Sequence, residues 1–311
     1  MAIGNITTVT EFIILGFSEH QDLQIPLSFL FLLIYLIILM GNLTIIAVTC
    51  LDPHLHNPMY FFLCNLSMLD ISYTSITLPK LLDILLRKKR AIPKNGCFAQ
   101  VYFLMVSMCE ELLLLTAMAY DRYVAICHPL RYSVVMNLRL CVLMATGTWI
   151  LGFLDPVGLI YHFSHFSYCE SNEINHFFCD PSALLKLSCT NTSTFNYVTY
   201  ILAVFVALPC FILTLASYVY IISAILRIRS TEGRCKAFST CSSHLTVVIL
   251  FYGTTASLYV RPTSMQSVDQ NKFFALLYNV LIPLFNPIIY SLKNKQVKEA
   301  IRKVFLQKLI Y

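Results

Sequence analysis

Seven stretches of this chain are continuous, apolar and almost free of charge for about 20 residues or more, the length a helix needs to cross the hydrocarbon core of a bilayer. They run over Leu27–Thr49, Met59–Leu78, Phe98–Ile126, Leu140–Tyr161, Tyr197–Leu226, Phe238–Val260 and Phe273–Leu292. The strands of a transmembrane barrel alternate polar and apolar residues over segments of ~10, and these runs do not. Composition decides the remaining alternative. Only 12% of the 311 residues are charged and 58% are hydrophobic, against about 25% charged in a soluble domain. So few charges cannot wet the surface of a soluble protein this long. The expectation is an all-α membrane protein, a seven-transmembrane helix bundle.

Seven spans put the termini on opposite sides of the membrane. The tail Met1–Pro26 carries no Lys or Arg and no short apolar core with a cleavage site, so span one is expected to act as an uncleaved signal anchor. An outer N-terminus agrees with the sequon Asn5-Ile6-Thr7, which makes Asn5 a candidate glycosylation site. It also agrees with four cysteines, Cys97, Cys169, Cys179 and Cys189, on the same oxidising side. Most Lys and Arg then fall inside, as the positive-inside rule asks. The cluster Lys80, Arg87, Lys88, Lys89, Arg90 and Lys94 runs against that rule, and nothing in the sequence accounts for it. Four outer cysteines allow three pairings. A bond from Cys97, at the mouth of span three, to the loop after span four would tether that loop over the bundle. The chain thus divides into an outer tail (1–26), the seven-span domain (27–292), and a cytoplasmic amphipathic helix and tail (293–311). In that last segment Val297, Ile301, Val304 and Phe305 share one face among basic residues. Such a helix lies on the anionic inner leaflet or docks on the bundle.

Ionisable residues inside a membrane mark function, because burying them is costly. Glu111 and Arg122 lie 11 residues apart in span three, about three helical turns, and share a face with Leu104, Met108 and Leu115. Glu110 points roughly 100° away. Asp70, midway along span two, is the natural neighbour of Glu111. Two carboxylates at one depth with no internal Lys or Arg call for a cation or a proton. A sodium ion on oxygen ligands fills that need, and so does one protonated carboxyl bonded to the other. No Cys/His spacing suggests zinc.

Span three ends in MAYDRYVAIC (Met118–Cys127). Its Asp121-Arg122-Tyr123, with Gly41-Asn42 in span one, Asp70 in span two and Asn286-Pro287-Ile288-Ile289-Tyr290 in span seven, resembles the signature of rhodopsin-like G-protein-coupled receptors. LHNPMYFFL (Leu55–Leu63), MAYDRYVAICHPLRY (Met118–Tyr132), Ser217-Tyr218, KAFSTCSSHL (Lys236–Leu245) and PLFNPIIYSLKN (Pro283–Asn294) narrow the resemblance to odorant receptors. The outer string HFFCDPSALLKLSC (His176–Cys189) agrees, and the short third outer loop beginning Arg261-Pro262 favours the terrestrial-type class. Asn57, where Thr is usual, and Leu284-Phe285, where Met-Leu is usual, depart from the family without touching a signalling position.

The resemblance implies a fold, partners and sites. One disulfide joins Cys97 to Cys179, leaving Cys169 with Cys189. Asp70 and Glu111 match acidic groups that can hold sodium, the one ion implied; no other cofactor and no nucleic-acid partner is expected. Arg122 pairs with Asp121 at rest and is freed for a stimulatory G protein when helix six swings outward, raising cyclic AMP. Tyr123, Tyr218, His244, Asn286, Pro287 and Tyr290 match the rest of that switch. By family position the ligand pocket takes Leu104, Met105, Met108 and Cys109 from span three and Leu202, Ala203, Val206 and Ala207 from span five. Span seven adds Tyr278 and Asn279. Span six adds Tyr252, Thr255, Ala256 and Tyr259, which helical spacing alone puts on one face. Leu104 stands where amine receptors carry an aspartate, and no Lys between Phe273 and Leu292 could bind retinal. The expected ligand is a small, neutral, mostly apolar volatile with one oxygen for Tyr259, Thr255 or Asn279. The expected location is the plasma membrane. A transporter or ligand-gated channel would need internal repeats and a continuous polar path; neither is visible. An enzyme would need a nucleophile–base set that Asp70 and Glu111 lack.

Overall fold

The protein is described here from a computed structural model covering residues 9–17, 21–169, 171–259, 268–293 and 295–307. Within these residues the chain is a helical bundle capped by a small sheet at the end read above as outer. Asn5 lies outside the described residues, as do the side chains of Ala203, Tyr259 and Phe305.

Six helices are long and apolar enough to cross a membrane: Gln24–Leu51, Pro58–Arg87, Lys94–Cys127, Leu138–His165, Ser193–Leu226 and Gln270–Tyr290. Thr231–Tyr259 is a further long helix. Its first two turns, Thr231–Ala237, are polar and charged, so the apolar run expected from sequence begins only at Phe238. Large apolar side chains such as Phe29, Leu33, Met40, Phe205 and Leu213 point outward from the bundle, as lipid-facing residues must.

The helices extend beyond the apolar runs. Span two continues to Arg87 and span three begins at Lys94, so part of the outer basic cluster is helical rather than loop. Asn57 caps the start of span two by accepting from the Tyr60 amide. Span four breaks at Asp155-Pro156 into Leu138–Leu154 and Val157–His165. Spans five and seven each contain a π-helical turn, Ala203–Ala207 and Leu277–Leu281. Each turn ends two residues before a proline, Pro209 or Pro283, whose missing N–H leaves the preceding carbonyls without their helical donors. Span three is the most enclosed and packs on spans two, four and five.

The outer tail is not free of structure. β1 (Glu11–Ile14) is the centre of a three-stranded sheet, antiparallel to β2 (Ala91–Pro93) and parallel to β3 (Glu173–Ile174). Phe12 and Ile14 are fully buried, and Phe12 meets the Tyr168 ring edge-on at 5.2 Å. The chain then turns at Gly16, whose φ of +58° favours glycine, and Phe17 stacks on Phe177 at 4.3 Å. Cys97 is bonded to Cys179, and Cys169 to Cys189. Gln100 adds a non-covalent strap, donating to the Ile76 carbonyl and accepting from the Cys179 amide.

This cap explains part of the basic cluster. The Lys80 ammonium donates to the carbonyls of Lys89 (2.9 Å) and Ala91 (2.8 Å), closing the turn into β2. Lys94 sits 5.6 Å and 5.4 Å from the Phe98 and Tyr168 ring centres, a cation–π contact. At the other end the helix Lys295–Gln307 docks on the bundle. Val297 and Ala300 are buried, Tyr60 donates to Gln296 at 2.8 Å, and Lys303 lies 3.9 Å from Asp52.

Candidate functional site: a buried polar column

A column of polar side chains runs through the apolar core from the middle of the bundle to its inner end. Its top is Glu111, whose Oε2 accepts from the Tyr278 hydroxyl at 2.8 Å. Tyr278 lies in the π turn of span seven, and its ring is set by edge contact with Tyr73 at 5.4 Å. Glu111 Oε1 is buried without a partner among the described residues. One layer inward, both oxygens of Asp70 accept from Asn286 Nδ2, at 3.2 Å and 3.0 Å. The two carboxyls therefore draw their donors from span seven.

Gly41-Asn42 supports this layer. Pro287 cannot donate to the carbonyl of Pro283, four residues earlier. Asn42 Nδ2 donates to that carbonyl instead, at 3.4 Å, and to its own helix at Ile38, at 3.1 Å. Gly41 permits the approach, because a Cβ there would lie 3.0 Å from the Pro287 ring.

At the inner end Arg122 is paired with Asp121 through both Nε, at 2.9 Å, and Nη2. The second oxygen of Asp121 accepts from Tyr132 at 2.8 Å. Tyr218 and His244 share a 2.6 Å hydrogen bond across spans five and six, with their rings stacked. Among the described residues His244 Nε2 and the Tyr290 hydroxyl are buried and unpartnered. Tyr123 bonds outward to His128 at 3.1 Å. The Asp121–Arg122 pair is formed, with His244 Nε2 and the Tyr290 hydroxyl open near it.

Glu110 is as buried as Glu111 but faces span four. Its Oε1 accepts from Thr148 at 2.9 Å, and Gly152 leaves room for its side chain. Sequence spacing separated the two carboxyls by direction; the packing of span four against span three supplied the partner.

Nearer the outer side, Leu104 and Cys109 are buried and Met105, Met108, Leu202, Val206, Ala207, Tyr252 and Thr255 are partly buried. Ala256 is exposed. Thr255 donates to Phe251 at 2.7 Å and Asn279 Nδ2 to Ala275 at 2.6 Å, each within its own helix, while Asn279 Oδ1 is buried without a partner among the described residues. Tyr278 is committed to Glu111. The Tyr252 hydroxyl is likewise buried and makes no hydrogen bond of full geometry among the described residues, with the Thr116 and Thr214 side chains beside it. The sequence placed Tyr252 in the set without singling out its hydroxyl; only the packing of neighbouring helices does.

A bundle of long apolar helices around an Asp–Asn–Tyr–Glu column, closed at its inner end by an Asp–Arg pair, defines a G-protein-coupled receptor rather than an enzyme. The comparisons give the family. A family model described as olfactory receptor matches residues 31–308. The chain is 48% identical to olfactory receptor 226 of Rattus norvegicus over 299 residues, 95% of this chain and 91% of that protein. It is 48% identical to olfactory receptor 9G4 of Homo sapiens over 303 residues, 97% and 93% of the two chains. With olfactory receptor 8A1 of Homo sapiens it shares 45% over 309 residues, 99% and 94%. The chain belongs to the olfactory receptor family and is a multi-pass membrane protein.

Proposed function

We propose that this receptor lies in the plasma membrane with its N-terminus outside. It binds a small, neutral, largely apolar volatile in the outer half of the bundle and activates a stimulatory G protein that raises cyclic AMP. The observation that carries the ligand class is the buried Tyr252 hydroxyl, which makes no hydrogen bond of full geometry among the described residues and belongs to the same apolar core as Leu104, Met108, Val206 and Ala207. A pocket of apolar walls with one free hydroxyl suits an alcohol, aldehyde, ketone or ester. Tyr259, one helical turn above Thr255, is a second anchor read from spacing. A cyclic-AMP reporter screen against a panel of volatiles tests the reading. Tyr252→Phe should weaken the response to an oxygenated agonist about tenfold more than the response to its hydrocarbon analogue, the worth of one hydrogen bond; Tyr259→Phe should act in the same direction. Equal losses would remove the anchor, and ligand-gated current in cells lacking G proteins would favour a channel.

The same reading gives Asp70 and Glu111 a sodium ion in the resting receptor. Supporting it are an oxygen-only donor set and the unpartnered Glu111 Oε1. Sodium and agonist then oppose each other by linkage. An Asp70→Asn receptor that kept wild-type sodium sensitivity would defeat this part.

A further inference from the structure

The chain holds four Asn-X-Ser/Thr sequons, and the fold sorts them. Asn42 and Asn65 are shut inside spans one and two: Asn42 is fully buried, and Asn65 accepts from the Trp149 indole at 3.1 Å. Asn5 stands in the outer tail of the sequence. The fourth sequon, Asn191-Thr192-Ser193, follows a fixed point of the second outer loop. There Cys189 is bonded to Cys169, its amide donates to the Ser167 carbonyl at 2.9 Å, and the Ser167 amide donates to Thr190 Oγ1 at 2.9 Å. Asn191 itself is exposed. Its Oδ1 accepts from the Ser193 amide at 2.8 Å, and its Nδ2 makes no hydrogen bond among the described residues.

Depth decides whether a membrane-bound transferase reaches it. The helix Ser193–Leu226 has 34 residues, about 51 Å at 1.5 Å per residue, against a hydrocarbon core of about 30 Å. Arg227 and Arg229 mark its inner end. About 20 residues counted back from Leu226 fill the core and end near Ala207, so about 21 Å of helix rises above it. Tyr200 and Tyr197, 69% and 72% exposed, fall along that stretch, as interfacial tyrosines do. Asn191 lies beyond its tip, clear of a headgroup layer about 5–8 Å thick. We propose that Asn191 carries an N-linked oligosaccharide, an inference that rests on the outer N-terminus proposed above. Its Nδ2 displaces a polyprenyl pyrophosphate from C1 of the donor sugar. The N–C1 bond forms as the C1–O bond breaks, the pyrophosphate keeps the electron pair, and an Nδ2 proton passes to a base of the transferase.

The test is translation of the full-length receptor, carrying Asn5→Gln and an N-terminal epitope, into sealed vesicles of the endoplasmic reticulum. This receptor should migrate one glycan step above its endoglycosidase-treated form. Adding Asn191→Gln should abolish the step. Adding Ser193→Ala instead, which removes the hydroxyl of the sequon and leaves Asn191 in place, should do the same, whereas Ser193→Thr should keep it. Added protease reports the orientation separately: an epitope protected until the vesicles are opened places the N-terminus outside. A protected epitope with no glycan step, or a step that survives Asn191→Gln, overturns the proposal and leaves the orientation intact. An epitope digested in sealed vesicles overturns the orientation and the proposal with it.

Discussion

The Tyr278–Glu111 bond is the contact most open to quantitative test, because both groups are buried and the bond crosses from span seven to span three. Glu111 has no other partner among the described residues for its second oxygen. Tyr278→Phe therefore strips the carboxyl of its donor, whereas Tyr278→Phe with Glu111→Met replaces both partners by apolar groups of similar shape. Losing one partner of a buried pair costs about 1–3 kcal/mol, and removing both can be nearly neutral. Hydrogen bonds between membrane helices couple by about 0.6 kcal/mol on average and about 1.7 at most. The short 2.8 Å bond to a carboxyl, buried on both sides, belongs at the upper end. The expected coupling in a double-mutant cycle is about 1–1.5 kcal/mol, with the double variant more stable than the sum of the singles. The assay is unfolding in mixed micelles, followed by exposure of the buried thiols Cys64, Cys109, Cys141, Cys210 and Cys241 to a reactive dye. A coupling under about 0.3 kcal/mol would mean that the two residues act independently, and would refute the column as a bonded unit.

Three further outcomes follow from the packing. Gly41→Ala should destabilise the receptor, because its Cβ would meet the Pro287 ring at 3.0 Å; overpacking of about 1–3 kcal/mol exceeds the helix-propensity gain of up to about 1 kcal/mol. Gly147→Ala, with nothing within 4 Å, should keep that gain, and a lower thermal midpoint for Gly147→Ala than for Gly41→Ala would contradict the geometry. Lys80→Met should speed tryptic cleavage at Arg87–Arg90 by releasing the Lys89 and Ala91 carbonyls; a Lys298→Met control should resist like wild type, and equal rates for all three would dismiss the staple. Burial, aided by Lys272 and Lys186 and opposed by Asp180, holds His176 below the ordinary imidazole value of 6.5. The neutral ring is then favoured in the fold, so the outer loop is fully stable above about pH 6.5 and loses stability as pH falls below it, by up to about 1.4 kcal/mol per pH unit. Amide protection factors of residues 173–187, which are corrected for the intrinsic slowing of exchange in acid, should fall between pH 7 and 5.5 and lose that dependence in His176→Phe; a flat profile in wild type would refute it.

The depth of the seven apolar runs, the shared face of Glu111 and Arg122, and the Gly41-Asn42 and Asn286-Pro287 pairs were legible from residue order, because helical periodicity is local. The outer sheet was not. β1 is four residues long, and its partners lie about 80 and 160 residues away in sequence. No period within Glu11–Ile14 points to either. The role of Lys80 was hidden for a related reason. A lysine near a membrane reads as a topological charge, and only the fold of the following turn brings two carbonyls within reach of its ammonium.

The candidate site divides along the same line. Sequence determined which side chains could carry chemistry, since membrane burial makes every internal Asp, Glu, Arg and His a rare commitment. It could not determine which of them would be satisfied. Thr255 and Asn279 spend their donors on their own helices, Tyr278 on Glu111, and Glu110 draws on Thr148, yet Asn279, Glu110 and Glu111 each keep a buried oxygen without a partner among the described residues, as Tyr252 and Tyr290 keep a hydroxyl. Hydrogen-bond satisfaction depends on distances of a few ångströms between segments far apart in the chain. Periodicity fixes the face of a helix; only packing fixes what that face meets.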